Sequence, residues 1–264
     1  MISLTVALPM YRAKHIAWVA MESLVAQRGI DFEWELIIAE EVNELSFGSN
    51  LRKYRKGLAA AGCKRIEYIP VRKWIPLSEK WRLIAASASN TSKGYILQAA
   101  DCYSQPNRLK TSMRLFLGGA DWVQSKHHLF YDMLTGHTYA MYREKHMQFM
   151  RHPCAADMAV STSLIKAVPC GNRARSVDGW MYRQCQNIKG TKLRVGWDLS
   201  NDWKLSINVH GMNNISDRGR WWKRPYMSPD DSLLKGIRPS ILRRLRKMKR
   251  HVRTWKLSDR VGKE

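Results

Sequence analysis

An aspartate with a proline five residues after it marks the segment of this chain where chemistry is easiest to place. Asp101 follows the apolar run Gly94 to Ala99, which has the character of a buried strand, and Pro106 opens the next predicted helix. At the carboxyl end of a strand in an open α/β sheet, a carboxylate can hold a hard divalent cation against a substrate phosphate. The alternative is a solvated aspartate in a turn, and this segment alone favours neither interpretation.

The elements that position Asp101 are predicted to alternate between strand and helix. Ile2 to Leu8 has the pattern of a buried strand, and Ile16 to Gln27 carries apolar residues at helical spacing. Phe32 to Ala39 is a second strand, which ends on Glu40 and Glu41. Residues 50–61 and 78–89 are then predicted to be helical, and residues 66–71 and 94–99 extended. Such alternation predicts an α/β fold whose mostly parallel sheet is covered by helices on both faces.

Two segments of the chain resemble the family 2 glycosyltransferases of the GT-A fold. Ser23-Leu24-Val25-Ala26-Gln27 and the strand Glu35 to Glu41 are similar to the end of the family's first helix and to its second strand, which closes on acids. Asp101 and Pro106 keep the spacing of the family's Asp-x-Asp metal motif, whose first acid is Ala99 here. The resemblance implies a GT-A fold, a Rossmann-like sheet flanked by helices, for a domain at residues 1–217. A basic lid and a helical C-terminal extension are expected to follow at residues 218–264.

The same resemblance implies an inverting, metal-dependent transfer of a sugar from a nucleotide-sugar donor, expected to be a UDP-sugar. Mn²⁺ or Mg²⁺ at Asp101 would offset the charge that grows on the leaving diphosphate. The implied donor-binding residues lie at the ends of predicted strands, on the helix from residue 78, and in the basic lid: Pro9, Tyr11, Glu40, Glu41, Lys80, Arg82, Asp101 and Arg220. From the helical pattern alone, Lys80 and Arg82 are expected on the exposed face of an amphipathic helix.

Asp178 and His210 are the remaining candidates for the chemistry. Asp178 precedes an aromatic-rich helix and resembles the family's catalytic base, since inversion needs a carboxylate on the face opposite the leaving nucleotide. A helix N-cap is the structural alternative, and the two roles are compatible. His210 ends an alternating segment, and in several GT-A enzymes a late histidine completes the metal shell, which Mn²⁺ accepts. The alternative is an ordinary structural histidine.

The charge of the chain indicates a polyanionic partner. Of its 264 residues 45 are Lys or Arg and 22 are Asp or Glu, and residues 218–264 hold 16 of the bases and four of the acids. Cations spread over body and tail suit a phosphate backbone. The leading interpretation is an enzyme similar to the viral glycosyltransferases that modify hydroxymethylated pyrimidines in double-stranded DNA. Its predicted DNA-binding residues are Arg243, Arg244, Arg246, Lys247, Lys249 and Arg250.

Two alternatives stay open. Ile241, Leu245, Met248 and Val252 form an apolar stripe, so the tail could lie on an anionic membrane surface and serve a transferase for an envelope lipid or polysaccharide. The loss of the first motif acid at Ala99 also permits a catalytically inactive nucleic-acid-binding protein on the same fold. The odd number of cysteines, five, the apolar start and the lack of a membrane-span pattern lead us to expect a cytoplasmic protein, in the host cytoplasm if it is viral.

Overall fold

The computed structural model describes residues 1–125, 127–133, 136–142, 158–169, 171–173, 177–198, 206–210, 227–229 and 237–258. The helices are α1 (Trp18–Val25), α2 (Arg55–Ala60), α3 (Leu77–Ser87), α4 (Arg108–Leu117), α5 (Thr162–Ala167), α6 (Val177–Lys189) and α7 (Pro239–Ser258). A 3₁₀-helix (Gly48–Tyr54) runs directly into α2. The strands are β1 (Ile2–Met10), β2 (Glu33–Glu41), β3 (Cys63–Val71), β4 (Gly94–Leu97), β5 (Cys102–Ser104), β6 (Trp122–Ser125), β7 (His127–Asp132), β8 (Thr138–Tyr142), β9 (Ala159–Ser161), β10 (Val195–Asp198), β11 (Ser206–His210) and β12 (Met227–Pro229).

The main sheet has seven strands in the order β3-β2-β1-β4-β9-β6-β10. All neighbouring strands are parallel except β9, which is antiparallel to both β4 and β6. The carboxyl ends of β1, β2, β3 and β4 therefore share one edge, where ligands bind in open α/β sheets. A second sheet, β5-β11-β7-β8-β12, starts at this edge because β5 follows β4 after a short turn.

Each face of the main sheet carries its own hydrophobic cluster. Val6 and Leu8 of β1 join a cluster with α1, α4 and α7, whereas Ala7 between them joins a cluster with α3, α5 and α6. This alternation is the period-two pattern of a strand that is buried on both faces. The predicted alternation of strands and helices, and the mostly parallel sheet between two helical layers, are both confirmed.

The basic C-terminal helix α7 is packed onto the domain through its apolar stripe. Ile237, Ile241 and Leu245 are at most 2% exposed and lie in the same cluster as α1. Burial of each such side chain contributes about 1.5–3 kcal/mol, which is enough to hold the helix in place. Ile241 and Leu245 are therefore not available to a membrane surface, contrary to what the interfacial-helix alternative requires. No helix within the described ranges combines the length and apolarity needed to span a bilayer.

Candidate functional site

Asp101 lies in the turn that joins β4 to β5, at the carboxyl edge of the main sheet. The turn is closed by the backbone N–H of Cys102, which donates to the carbonyl of Ala99 at 3.1 Å. The thiol of Cys102 lies 3.7 Å from Oδ1 of Asp101. Burial raises the pKa of Asp101 to about 6, so the carboxylate is still ionised at neutral pH. The residue thus has the position and charge of a cation ligand.

A buried polar network that the sequence analysis missed fixes this turn. Arg108, fully buried at the start of α4, donates to Oε1 of Gln98 at 2.8 Å, to Oγ of Ser104 at 2.9 Å and to the carbonyl of Leu97 at 2.7 Å. The amide of Gln98 in turn donates to the carbonyls of Ala99 and Cys102, at 2.9 and 2.7 Å. The two side chains therefore hold both ends of the turn. A cation in the first turn of a helix opposes the helix dipole, and this was the signal available in the sequence.

The second sheet brings the backbone of His210 toward the same turn. In β11, Asn208 is paired with Cys102 of β5, which directly follows Asp101. On its other side β11 pairs with β7, where His210 is opposite Asp132. The register places the end of β11 beside the Asp101 turn, while the side chain of His210 lies outside the described part of the structure. Among described side chains, no three His, Cys, Asp or Glu converge as a metal cluster.

Glu40, predicted to bind the donor, uses its carboxylate to organise the loop after β2. The backbone N–H groups of Phe47 and Gly48 donate to its two oxygens at 2.6 and 2.9 Å, and the hydroxyl of Tyr68 donates at 2.9 Å. A Cβ at Gly48 would lie 2.6 Å from the Tyr68 hydroxyl, so glycine is needed for this close approach. Glu40 is fully buried, and its role in the structure is to position the loop.

Glu41, the last residue of β2, and Lys80 of α3 form a buried ion pair beside the end of β1. Nζ of Lys80 is 2.5 Å from Oε1 of Glu41 and donates to the carbonyl of Met10 at 3.0 Å. The expectation that Lys80 lies on an exposed helix face is wrong, since it is only 4% exposed. The helical spacing of the sequence predicted the helix that contains Lys80. It could not predict the burial of Lys80, which depends on Glu41, 39 residues away in the chain. Arg82 does lie on the more exposed side of α3, where its guanidinium binds the Glu79 carboxylate.

Tyr11 presents an aromatic ring at this edge. The residue is 46% exposed, and Nζ of the buried Lys80 lies 5.3 Å from the centroid of its ring. Arg12 follows with a positive φ of 48°, and its guanidinium lies 5.5 Å from the same ring. The half-buried Pro9 precedes them at the end of β1. The edge thus offers a flat apolar surface with cations beside it, an arrangement suited to the aromatic base and the phosphates of a nucleotide.

Asp178 is the second residue of α6, inside the helix rather than at its N-cap. Its Oδ1 accepts a hydrogen bond from the N–H of Gly179 at 3.0 Å, and the side chain is half-buried. Shortly before α6, the backbone N–H of Arg173 donates to Oγ of Ser78 at the start of α3. This link brings the chain that leads into α6 to the sheet edge where α3 begins. An acid in the first turn is also favoured by the helix dipole.

The cations predicted to bind DNA divide into two groups in the structure. Arg243, Arg246 and Lys247 are exposed on α7. The guanidinium of Arg244 instead lies 3.9 Å from the ring centroid of Trp18 and 2.9 Å from the Glu22 carboxylate, so it anchors the helix. The side chains of Lys249 and Arg250, the whole of Arg220 and the predicted domain boundary at residue 217 lie outside the described residues.

Comparison with known proteins identifies the fold. No protein-family model matches the sequence, and no curated protein does. Among solved structures, TarS of S. aureus in complex with UDP-GlcNAc is similar over 79% of this chain and 59% of that one, with a TM-score of 0.59 and 12% identity. The mannosyltransferase PcManGT of Pyrobaculum calidifontis, in complex with GDP-Man and Mn²⁺, is similar over 82% and 58%, with a TM-score of 0.55 and 11% identity. The chain spans about three fifths of these two proteins, and it has the GT-A glycosyltransferase fold that its two motif segments predicted.

Proposed function

We propose that this protein is an inverting glycosyltransferase that moves a sugar from a nucleotide-sugar donor, a UDP-sugar, to a hydroxyl group. The observation that carries the proposal is the Asp101 turn, which the buried Gln98–Arg108 network holds at the carboxyl edge of the main sheet. A fully buried arginine devoted to one turn is costly to maintain and favours a functional role for that turn. Two solved structures that are similar to this chain, with TM-scores above 0.5, contain UDP-GlcNAc or GDP-Man.

The residues present fit a divalent metal. Asp101 supplies a carboxylate at the sheet edge that is ionised at neutral pH, and the register of β11 makes His210 the candidate for a second ligand. Together with the diphosphate oxygens of the donor, they would supply a ligand set that Mn²⁺ or Mg²⁺ accepts. When bound, the metal would neutralise the charge that develops on the leaving nucleotide diphosphate. By holding the metal, Asp101 would also orient the diphosphate of the donor.

The donor would lie on the surface formed by Pro9 and Tyr11, with its base against the Tyr11 ring. Glu41 and Lys80 neutralise each other, so this buried pair would support the surface without adding net charge to it. Arg82 would approach the donor only after exchanging its contact with Glu79. Glu40 would act indirectly, through the loop that it holds. Arg220 remains our prediction for a cation that closes over the diphosphate.

Asp178 is the proposed catalytic base. Its carboxylate would accept the proton of the acceptor hydroxyl while the oxygen attacks the anomeric carbon and the nucleotide diphosphate departs on the opposite side. The side chain is partly exposed in the first turn of α6, and its one described hydrogen bond is to the adjacent backbone N–H of Gly179. This leaves a second oxygen for the acceptor.

The proposed acceptor is a hydroxymethylated pyrimidine in double-stranded DNA. The exposed cations of α7 and the net charge of +23 support a phosphate-backbone partner. A base in a duplex would have to be flipped out or approached through the major groove to present its hydroxyl. The membrane-face alternative is weakened, because Ile241 and Leu245 of its apolar stripe are buried in the domain. Measuring nucleotide release distinguishes an active glycosyltransferase from the catalytically inactive alternative.

Release of nucleotide diphosphate from a panel of nucleotide sugars, with Mn²⁺ present, tests donor chemistry without any assumption about the acceptor. We expect the wild-type protein to release nucleotide from at least one donor. Asp101→Asn should lower the rate about a hundredfold or more, since a metal contributes several kcal/mol to stabilisation of the leaving group. Asp31→Asn, an exposed change at the opposite edge of the sheet, is the matched control. No release from any donor, or full activity in Asp101→Asn, would contradict the proposal.

A further inference from the structure

We propose that the DNA surface of this protein is composite and joins the cations around the 3₁₀-helix and α2 to those of α7. One continuous phosphate backbone would contact both segments. This deepens the proposed function and rests on its DNA acceptor, but it adds a second protein segment that the acceptor proposal does not contain. We call the seven residues together the composite cationic face: Arg52, Lys53, Arg55, Lys56, Arg243, Arg246 and Lys247.

Both segments bury their apolar residues and expose their cations. Leu51 and Leu58 are buried on one side of the first segment, as Ile241 and Leu245 are on α7. All seven members of the composite cationic face are exposed. Within the described part of the chain, none of the seven forms an ion pair, so their charges are available to a partner.

Arg244 and Tyr54 join the two segments. The guanidinium of Arg244 on α7 stacks on Trp18 and pairs with Glu22, both residues of α1. Burial raises the pKa of Tyr54, the last residue of the 3₁₀-helix, and the charges of Glu22 and Arg244 also act on its hydroxyl, so both side chains lie close to it. Tyr54 stands between Lys53 and Arg55 in the sequence. The cations of the first segment therefore flank a residue that lies near Arg244 of α7.

Helix α1 holds the two segments in a fixed relation. Gly57 of α2 lies so close to α1 that a Cβ there would be 2.8 Å from Cγ1 of Val25. On α7, Leu245 packs in the same cluster as Trp18 and Leu24 of α1. A rigid array of cations neutralises successive phosphates at a smaller entropic cost than a flexible tail would. The geometry thus favours an extended polyanion over a small phosphate ligand.

The composite cationic face also has the composition expected for nucleic acid rather than lipid. The large hydrophobic side chains that are exposed in the described residues are Met1, Tyr11, Val42, Trp74, Leu117 and Ile188, all outside both segments. An interfacial helix needs apolar side chains that can enter the acyl region, whereas phosphate contacts and counterion release need cations only. We therefore commit to a nucleic-acid phosphate backbone as the partner.

Two triple variants and a matched control test the proposal through the salt dependence of binding to a synthetic DNA duplex. Each lost phosphate contact should reduce the log–log salt slope by about 0.9, so each triple variant should reduce it by roughly 2 to 3 and the two together by the sum. A control that removes three exposed cations from elsewhere on the surface should leave the slope unchanged. The first variant is Arg52→Gln, Arg55→Gln, Lys56→Gln; the second is Arg243→Gln, Arg246→Gln, Lys247→Gln; the control is Lys93→Gln, Arg183→Gln, Lys192→Gln.

Lysine acetylation of the wild-type protein gives an independent measurement that needs no variant. Duplex DNA should protect Lys53 and Lys56 together with Lys247, and should leave Lys192 reactive. If the first triple variant behaves like the control and Lys53 and Lys56 stay reactive, the surface is not composite. If both triple variants lose binding to phosphatidylserine vesicles while their DNA slope is that of wild type, the partner is a lipid surface and the proposal is overturned.

The same variants separate this inference from the proposed function. Release of nucleotide from the sugar donor, assayed without DNA, should be unchanged in the first triple variant, because its three positions lie outside the site at the sheet edge. If the wild-type protein releases no nucleotide but both triple variants flatten the DNA slope, the glycosyltransferase proposal fails and the composite cationic face stands.

Discussion

The carboxylate of Asp101 has a signature that can be measured without any substrate. Burial raises its pKa from 3.8 to about 6, so the folded state favours the protonated form more than the unfolded state does. The metal-free protein should therefore lose stability as the pH rises from about 4 to about 6, by up to roughly 3 kcal/mol for a shift of about two pKa units. Asp101→Asn should lack this component of the pH dependence.

Urea unfolding of both proteins across this pH range measures the effect, as the change in the difference between their free energies of unfolding. Asp31→Asn should keep the wild-type dependence, because Asp31 is exposed. Parallel curves for wild type and Asp101→Asn would show that the carboxylate of Asp101 is not held in the buried environment described.

Asp178 is expected to act only in the transition state. Asp178→Asn should keep the wild-type affinities for donor and DNA, while kcat falls by about 10²- to 10⁴-fold, the usual contribution of a general base. Steady-state kinetics together with direct donor binding would distinguish the two parameters. A raised KM at unchanged kcat would instead assign Asp178 to substrate binding.

At the scale of the elements, the turn between β4 and β5 depends on Arg108. Arg108→Met keeps much of the side-chain volume but removes the donors to Gln98, Ser104 and Leu97. Oε1 of Gln98 keeps the Ser104 hydroxyl as a donor, but each of the three lost bonds comes from a charged donor and contributes about 1.5–3 kcal/mol. We therefore expect a loss of about 3 kcal/mol or more in the free energy of unfolding. Donor-dependent Mn²⁺ affinity should fall as well, because Asp101 loses its fixed position.

The matched control is Arg114→Met on the exposed side of the same helix, which should change stability by less than about 0.5 kcal/mol. Denaturant unfolding and Mn²⁺ titration provide the two readouts. Stability and Mn²⁺ affinity equal to those of the control would remove Arg108 from its positioning role.

The docking of α7 makes a second prediction at this scale. Leu245→Ala should destabilise the whole domain by about 2–5 kcal/mol, the range for a buried leucine, since Leu245 is fully buried against α1. Arg246→Ala, at the next and exposed position, should cost less than about 0.5 kcal/mol. Equal melting temperatures for the two variants would mean that α7 does not contribute to the domain core. For the same reason, removal of residues 236–264 is expected to uncover α1 and not simply to shorten a tail.

Sequence patterns predicted the helices α3 and α7, but not the residues that their faces contact. The stripe of Ile241, Leu245 and Met248 identified an amphipathic helix, but the same stripe would serve a lipid surface or a protein core. Lys80 shows the same limit, because its burial depends on Glu41, in a different element. Local periodicity reports which face of an element is apolar, whereas tertiary contacts decide what that face meets.

At the scale of the whole molecule, the alternating pattern predicted a mostly parallel α/β sheet and the two motif segments predicted the GT-A fold. Neither predicted the second sheet. Strand β5 of the second sheet and strand β9 of the main sheet are each three residues long, too short for a periodicity that could reveal them. The antiparallel position of β9 between β4 and β6 also depends on contacts between distant segments. By contrast, net charge is a property of composition, and the excess of cations could be read directly.

The structure also separates two surfaces that the sequence could not distinguish. The candidate site lies at the carboxyl edge of the main sheet, whereas the composite cationic face lies on the helical layer of α1, α2 and α7. An acceptor held on that layer would need to be long enough to reach the edge as well. A duplex satisfies this requirement, and a small acceptor does not.

Mass spectrometry of nucleosides tests the central claim, sugar transfer to DNA, most directly. Hydroxymethylated duplex DNA would be incubated with the protein, Mn²⁺ and the panel of nucleotide sugars, then digested to nucleosides. We predict that the hydroxymethylated pyrimidine nucleoside gains the mass of one sugar residue, and that the gain is absent with Asp178→Asn and with unmodified DNA. If nucleotide is released from a donor while no nucleoside gains mass, the DNA acceptor is wrong; if no donor is used at all, the glycosyltransferase assignment is wrong as well.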